Sequence, residues 1–223
     1  MAVLGVDGWR GRWVGAKLAD RTVELLVLDD VAAVLAVPDV ELVAIDMPIG
    51  LSDDGSRACD VEARRLLSPF GAASSVFPAP VRPVLGAGSY EEARRISVAA
   101  SGKSLSAQAW QLTASIRQVD DALGDPPASR VVEVHPELTF RGMDSRVRDR
   151  KATAPGQAQR LRALGRWMDV LDGLAAAPPD IPLVDALDAC AAAWSAARLA
   201  GGEGECVGDG ATDRRGRPMR ICW

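Results

Sequence analysis

Residues 2–28 read AVLGVDGWRGRWVGAKLADRTVELLVL, and residues 41–46 read ELVAID. The first stretch divides into three apolar runs, 2–7, 12–18 and 22–28, interrupted by Gly8, Gly11 and the Asp20–Arg21 pair. Short apolar runs separated by such turn formers predict three consecutive strands in an antiparallel meander. Asp29 or Asp30 then stands where an aspartate caps a short helix, over 31–36. The run 41–46 is apolar on both sides of its alternation, as in a strand buried between two layers. Strands one and four both run straight into an aspartate, Asp7 and Asp46.

Beyond Asp46 the character changes. Pro48, Pro69, Pro78, Pro80 and Pro83 punctuate a loop-rich region with one helix, 58–67. Two further helical stretches follow, 89–100 and 104–123, the second carrying Leu105, Ala109, Leu112, Ile116, Val119 and Leu123 at helical spacing. Gly124–Pro127 ends it. Residues 130–135 (RVVEVH) predict a fifth strand, with the His135–Pro136 pair shaping the turn after it. A helix over 155–174, a linker over 175–180 and a small-residue helix over 184–200 complete the series. Gly201 and Gly202 stop the last helix, and PMRICW reads as a closing strand. The order is β-β-β-α-β, a group of helices, then β-α-α. It predicts an α/β chain whose mixed sheet, three meander strands plus parallel strands, is flanked by helices. One domain is expected over 1–223, with 47–128 as a loop-rich helical insertion after strand four. Neither a GxGxxG nor a GxxxxGK[ST] sequence occurs, which removes local support for dinucleotide or P-loop chemistry.

Composition narrows the function. A net charge of −4 is the wrong sign for a general nucleic-acid binder, so any such role needs a local basic strip or metal ions among the acids. Cys59, Cys190, Cys206 and Cys222 form no CxxC pair, so zinc is not expected and reduced thiols are. There is no signal peptide pattern and no apolar run long enough to span a membrane, so no membrane partner is expected and a cytoplasmic location is.

The acids carry the chemistry. Asp7 and Asp46 end strands, Glu133 lies inside the fifth strand, and Asp185 and Asp188 stand three residues apart on one face of the last helix. Singly, an aspartate before glycine is a turn former and one at a helix start is a cap. Together, carboxylates at the ends of adjacent strands repel unless a cation lies between them. Oxygen-only ligation suits Mg²⁺ or Mn²⁺, and two such ions can activate water and stabilise a leaving oxygen in phosphodiester hydrolysis.

The blocks GVDGWRGRWVGA, AIDMPIGL, CDVEARRLL, SSVFPAPVR, EVHPELTF, Lys151-Ala-Thr and DALDACAAAWSAAR, in this order, resemble a bacterial family of unknown function. That family has a predicted RNase H-like fold, akin to the Holliday-junction resolvase branch. The resemblance implies an acid on strand one, one at the end of strand four and one or two on the last helix. These map onto Asp7, Asp46, Asp185 and Asp188 as metal ligands, with Glu133 an additional catalytic candidate from the fifth-strand block. It implies a metal-dependent nuclease acting on DNA or RNA. The alternative is a nucleotide- or small-phosphoester-binding protein of the same fold, with or without catalysis.

Candidate substrate contacts are Arg10, Arg57, Glu62, Arg82, His135 and Lys151. Arg10 follows Asp7, and Arg57, Glu62 and Arg82 lie in the region after Asp46. Lys151 ends a basic run with Arg141, Arg146, Arg148 and Arg150. Such a run is either a solvated face or a phosphate-contacting strip. His135, the sole histidine, is a turn residue that could act as a base. Trp9 is read as core or rim packing ahead of base stacking.

Overall fold

A computed structural model describes residues 1–125, 128 and 130–223. The expected helix stop at 124–127 therefore includes two residues, Pro126 and Pro127, that lie outside the described set. The chain forms two compact units: residues 1–47, 129–205 and 222–223 make the first, and residues 48–128 and 206–221 the second.

The first unit is built on a five-stranded mixed sheet of order β3-β2-β1-β4-β5. Its strands are β1 (Ala2–Trp9), β2 (Arg12–Ala19), β3 (Thr22–Leu28), β4 (Val40–Ile45) and β5 (Val131–Glu133). β2 is antiparallel to both β1 and β3, whereas β4 runs parallel to both β1 and β5. The meander and the buried fourth strand are thus as the sequence predicts. Trp9 pairs with Arg12, leaving Arg10 and Gly11 as a two-residue loop with φ of 49° and 79°. Two left-handed residues are what a tight hairpin needs to match the twist of its strands.

Helix α1 (Val31–Leu35) starts at Asp30, whose Oδ1 accepts from the Ala33 N–H at 2.7 Å. The long helix here called α8 (Leu183–Ala200) crosses β1, with Ala186, Ala189, Ala191, Ala192, Ala193 and Ala196 all buried. Small residues allow this approach. A Cβ on Gly5 of β1 would stand 2.0 Å from the Ala193 nitrogen, so only glycine fits there.

Two helices depart from the expected pattern. Residues Pro136–Met143 form α5, where the sequence suggested only a turn; Pro136 occupies the first helical position, where its missing N–H costs nothing. The helix expected over 155–174 is two, α6 (Ala154–Leu164) and α7 (Val170–Ala175). Gly165 ends the first, and the Asp169 N–H donates to the Arg21 carbonyl at 2.8 Å, which fixes the start of the second beside β3. The 3.6-residue apolar period continues through the break because Leu164, Met168 and Val170 all enter the same core.

The second unit contains α2 (Ala58–Leu67), α3 (Tyr90–Ser101) and α4 (Ala107–Ala122). Its small core holds Val81, Val84, Ala93, Leu105 and Ala109. Charge is buried beside it: Arg57, Asp60, Arg82, Asp120, Asp213 and Arg217 are all nearly inaccessible.

Strands β6 (Cys206–Val207) and β7 (Ile221–Cys222) pair in a separate two-stranded sheet, which supplies the closing strand expected in PMRICW. Cys206 and Cys222 are disulfide-bonded, correcting the expectation that all four cysteines are thiols; Cys59 and Cys190 remain thiols. Among the described residues no helix is long and apolar enough to cross a membrane.

Candidate functional site

Strand register brings the first acids together. Gly5 pairs with Ala44 and Val6 with Ile45, and the Asp46 N–H continues the ladder by donating to the Val6 carbonyl at 2.9 Å. Asp7 and Asp46 therefore stand side by side at the carboxyl ends of adjacent parallel strands. Because side chains alternate along a strand, Asp7 shares the face of Gly5, the face covered by α8. That helix begins at Leu183, so its first two turns carry Asp185 and Asp188. The close approach at Gly5 seats these turns over the strand ends.

The electrostatics report the convergence. Burial pushes the Asp7 carboxyl well above its usual range, and the charges of Asp46, Asp188 and Asp185 push the same way, with Lys151 opposing. Asp46 is raised to about 7 by burial, then by Asp188 and Glu137, again with Lys151 opposing. Asp188 is raised by burial against the pull of Lys151. Burial also raises Asp185, while Lys151 and Arg10 hold it down. The Cys190 thiol, two residues from Asp188, is pushed up to about 12 by burial and by the Asp188 charge.

One cation sits among these acids. The Lys151 Nζ donates to Asp188 Oδ2 at 2.6 Å, and the lysine side chain is 48% exposed while that of Asp188 is 1% exposed. Burial works against the ammonium, but Asp188, with Asp46 and Asp7 behind it, holds it above the ordinary lysine range. The second oxygen of Asp188, Oδ1, is buried and has no hydrogen-bond partner. A buried carboxylate oxygen left in this state is costly.

A second layer supports the lysine. Glu137 Oε1 accepts from Arg160 Nη2 at 2.5 Å, and Arg160 Nη1 donates to the Asp149 carbonyl at 2.9 Å. The Arg160 guanidinium also lies 5.1 Å from the centre of the Phe140 ring. Sequence reasoning missed Glu137 and Arg160. Glu137 with Arg141 at i,i+4 after a helix-starting proline was the available signal, hidden because α5 was read as a turn.

The other predicted residues fall as follows. Glu133 pairs with Ile45, which puts it on the sheet face opposite Asp7 and Asp46, and it is buried. Arg10 is exposed at the hairpin tip, its guanidinium 5.9 Å from the Trp9 ring. His135 precedes α5 and accepts from the Thr139 N–H through its carbonyl at 3.0 Å. In the second unit, Arg57 pairs with Asp60 at 2.5 Å and donates to the carbonyls of Ile49 and Gly50. Arg82 is buried between Asp120, at 2.7 Å, and Asp213. Glu62 accepts from the Gly208 N–H at 3.1 Å. Arg57 and Arg82 are thus engaged in buried ion pairs, and Asp60, Asp120, Asp213 and Arg217, which hold that unit together, were missed.

The carboxylates suit Mg²⁺ or Mn²⁺ in chemistry, since hard oxygen donors and an orphaned Asp188 Oδ1 are what such an ion takes. Their disposition does not yet suit it. Among the described residues no group of three or more His, Cys, Asp or Glu side chains is arranged to hold a metal ion, and Lys151 supplies the positive charge instead.

A family model described as "Protein of unknown function (DUF429)" matches residues 5–213. No curated protein and no solved structure matches the chain.

Proposed function

The chain belongs to this family of unknown function, DUF429, and we propose that it is a nuclease-class hydrolase of DNA or RNA phosphodiesters with an RNase H-like fold. The observation that carries the reading is the meeting of Asp7 and Asp46, at adjacent parallel strand ends, with Asp185 and Asp188 on the helix crossing that face. Strand ends with parallel neighbours are where open α/β sheets place ligands, because the chain loops leave a crevice there. The sheet order β3-β2-β1-β4-β5, a meander followed by parallel strands, supports the fold half of the proposal.

In this reading Asp7, Asp46, Asp185 and Asp188 form the acidic centre, and Lys151 neutralises it in the arrangement present. Arg10, at the hairpin tip and within electrostatic reach of Asp185, is placed to meet a phosphate. Mg²⁺ or Mn²⁺ is the ion whose chemistry, water activation and leaving-group stabilisation, would complete such a centre.

The test is cleavage of a panel of linear and branched DNA and RNA by the full chain with Mg²⁺ or Mn²⁺, alongside Asp188→Asn. Metal-dependent cleavage lost in the variant supports the proposal. No cleavage of any substrate, with thermal stabilisation by nucleotides, replaces it with a nucleotide- or phosphoester-binding role.

A further inference from the structure

Residues 144–151 (DSRVRDRK) carry four cations and two carboxylates in a chain whose net charge is −4, so the positive sign here is local. Their backbone is fixed from α6. Gln159 Oε1 accepts from the N–H groups of Arg148 and Asp149 at 2.9 and 3.0 Å, and Arg160 Nη1 donates to the Asp149 carbonyl at 2.9 Å. Both acids are engaged among these residues. Asp149 Oδ2 accepts from Gln159 Nε2 at 2.6 Å. Asp144, its side chain 10% exposed, accepts from Arg146 at 2.9 and 3.0 Å and from Arg166 Nη1 at 2.8 Å, while those two arginine side chains are 71% and 48% exposed. One sunken carboxylate thus orients two guanidinium groups that remain largely in water. Arg148, Arg150 and Arg162 are exposed and form no ion pair among the described residues. The strip begins at Lys151, which meets Asp188, and reaches Trp167, the neighbour of Arg166. Trp167 is 51% exposed, and its ring is held edge-on by Trp194 at 5.8 Å. The Arg198 guanidinium in turn lies 4.8 Å from the centre of the Trp194 ring.

We propose that this strip, Arg146, Arg148, Arg150, Arg162 and Arg166 with Trp167, binds single-stranded nucleic acid, the guanidinium groups taking phosphates and Trp167 stacking on one base. This rests on the nucleic-acid reading above and deepens it, naming the form of the strand and the surface that leads it to the acidic centre. Arginine suits the backbone because its planar fork offers a phosphate two N–H donors at once. The anchored loop has little freedom left to lose when the strand binds. A fixed, half-exposed indole beside an oriented guanidinium meets base and phosphate together. It takes an unpaired base, since the base faces of a duplex are already stacked on one another. An anionic lipid surface offers the same phosphates without a base, and serves as the control.

The test is binding of the full chain to a fluorescent single-stranded oligonucleotide of about 12 nucleotides, read by anisotropy in EDTA over a series of salt concentrations. The logarithm of wild-type affinity is expected to fall linearly with the logarithm of salt, by about 0.7 for each phosphate held. The triple variant Arg146→Gln, Arg148→Gln, Arg150→Gln should show a slope shallower by about 2. Trp167→Leu should bind about tenfold more weakly with the slope unchanged, and Trp167→Phe should keep most of the affinity. A residue that only supports the fold would not divide affinity from salt dependence in this way. If Trp167→Leu does not fold, the triple variant and Trp167→Phe decide. An unchanged slope in the triple variant, wild-type affinity in Trp167→Leu, tighter binding of the same strand annealed to its complement, or binding of phosphatidylserine vesicles in place of the oligonucleotide overturns the proposal. Metal-dependent cleavage that persists in the triple variant with KM unchanged overturns the strip and leaves the nuclease reading standing. Neither binding nor cleavage of any nucleic acid by the wild type overturns both.

Discussion

Gly5 and Ala193 touch backbone to backbone: a Cβ on residue 5 would lie 2.0 Å from the Ala193 nitrogen and 2.1 Å from the Ala189 carbonyl oxygen. Neither atom belongs to a side chain that can turn aside, so any larger residue must push α8 off the sheet. Gly5→Ala is expected to destabilise the protein by about 3 kcal/mol or more, at the upper end of overpacking costs. Gly11→Ala is the control, because nothing lies within 4 Å of its Cβ position and only its φ of +79° opposes the change. Its cost should be about 1 kcal/mol, the strain of a left-handed residue. Urea unfolding of both variants makes the comparison; equal costs would mean that α8 does not seat on β1 at this glycine.

Asp213 anchors the second unit. It pairs with Arg82 and accepts from the N–H groups of Leu51 at 3.2 Å and of Arg215 and Arg217 at 2.8 and 2.9 Å. Burial would raise its carboxyl, but these N–H groups and the Arg82 charge outweigh it and hold the group below the usual range. Removing Asp213 leaves the buried Arg82 with Asp120 alone, so Asp213→Ala should cost about 3–5 kcal/mol at neutral pH, as for other broken buried pairs. A carboxyl depressed in the folded state contributes stability above its unfolded pKa and loses it as pH falls through the folded value. The gap between wild type and variant should therefore shrink in strong acid. Denaturant curves at neutral and strongly acidic pH check this, and a gap independent of pH would speak against the ionised pair.

The meander was legible because its signals are local. Gly11 and the Asp20–Arg21 pair sit at tight turns, and each apolar run is one strand long. Asp7, Asp46 and Asp188 were legible as a group because two strand ends and a helix start are places where unpaired acids need explanation. Glu133 was misplaced relative to them by one residue of register, since pairing with Ile45 rather than with Asp46 turns it to the other face. Lys151 was visible as a resemblance block and as the end of a basic run, but not as the partner of Asp188; that contact spans 37 residues and depends on the turn between α5 and α6. Arg57 and Arg82 were read as substrate contacts because nothing in sequence distinguishes an exposed arginine from one whose acid partners arrive from 3 residues away for Arg57, or from 38 and 131 residues away for Arg82. The disulfide-bonded state of Cys206 and Cys222 was hidden because neither stands in a CxxC or other local motif.

Asp46 gives a pH test of the acidic centre. Its carboxyl is raised from 3.8 to about 7 by burial first and then by Asp188, despite Lys151. A group raised in the folded state favours folding fully below its unfolded value, and the advantage is lost as pH rises through the folded one. The wild type should therefore lose stability between mildly acidic and neutral pH on account of this residue. Asp46→Asn carries no charge to bury, so it should melt higher than the wild type at pH values above about 8 and converge with it below about 4. Melting curves across that range decide the matter. A constant offset at every pH would place Asp46 in water rather than among the acids.

Asp7→Asn separates a metal ligand from a turn residue. The substitution keeps an oxygen that can accept from the Gly8 N–H, a bond now made at 2.9 Å to Oδ1, so the local turn survives. It removes a charge that burial and the neighbouring Asp46 and Asp188 all disfavour. Without metal the variant should therefore be as stable as the wild type at neutral pH, or slightly more so. Mn²⁺ should raise the wild-type Tm through preferential binding to the folded state, and an excess of about 100 times Kd would contribute about 2.7 kcal/mol. The variant's rise should be much smaller, because one oxygen donor has gone, and any phosphodiester cleavage should disappear with it. If Asp7 only shapes the turn after β1, the two proteins will show the same metal-induced shift. Melting curves of wild type and Asp7→Asn, each with and without Mn²⁺, distinguish these outcomes, and equal shifts would remove Asp7 from the proposed centre.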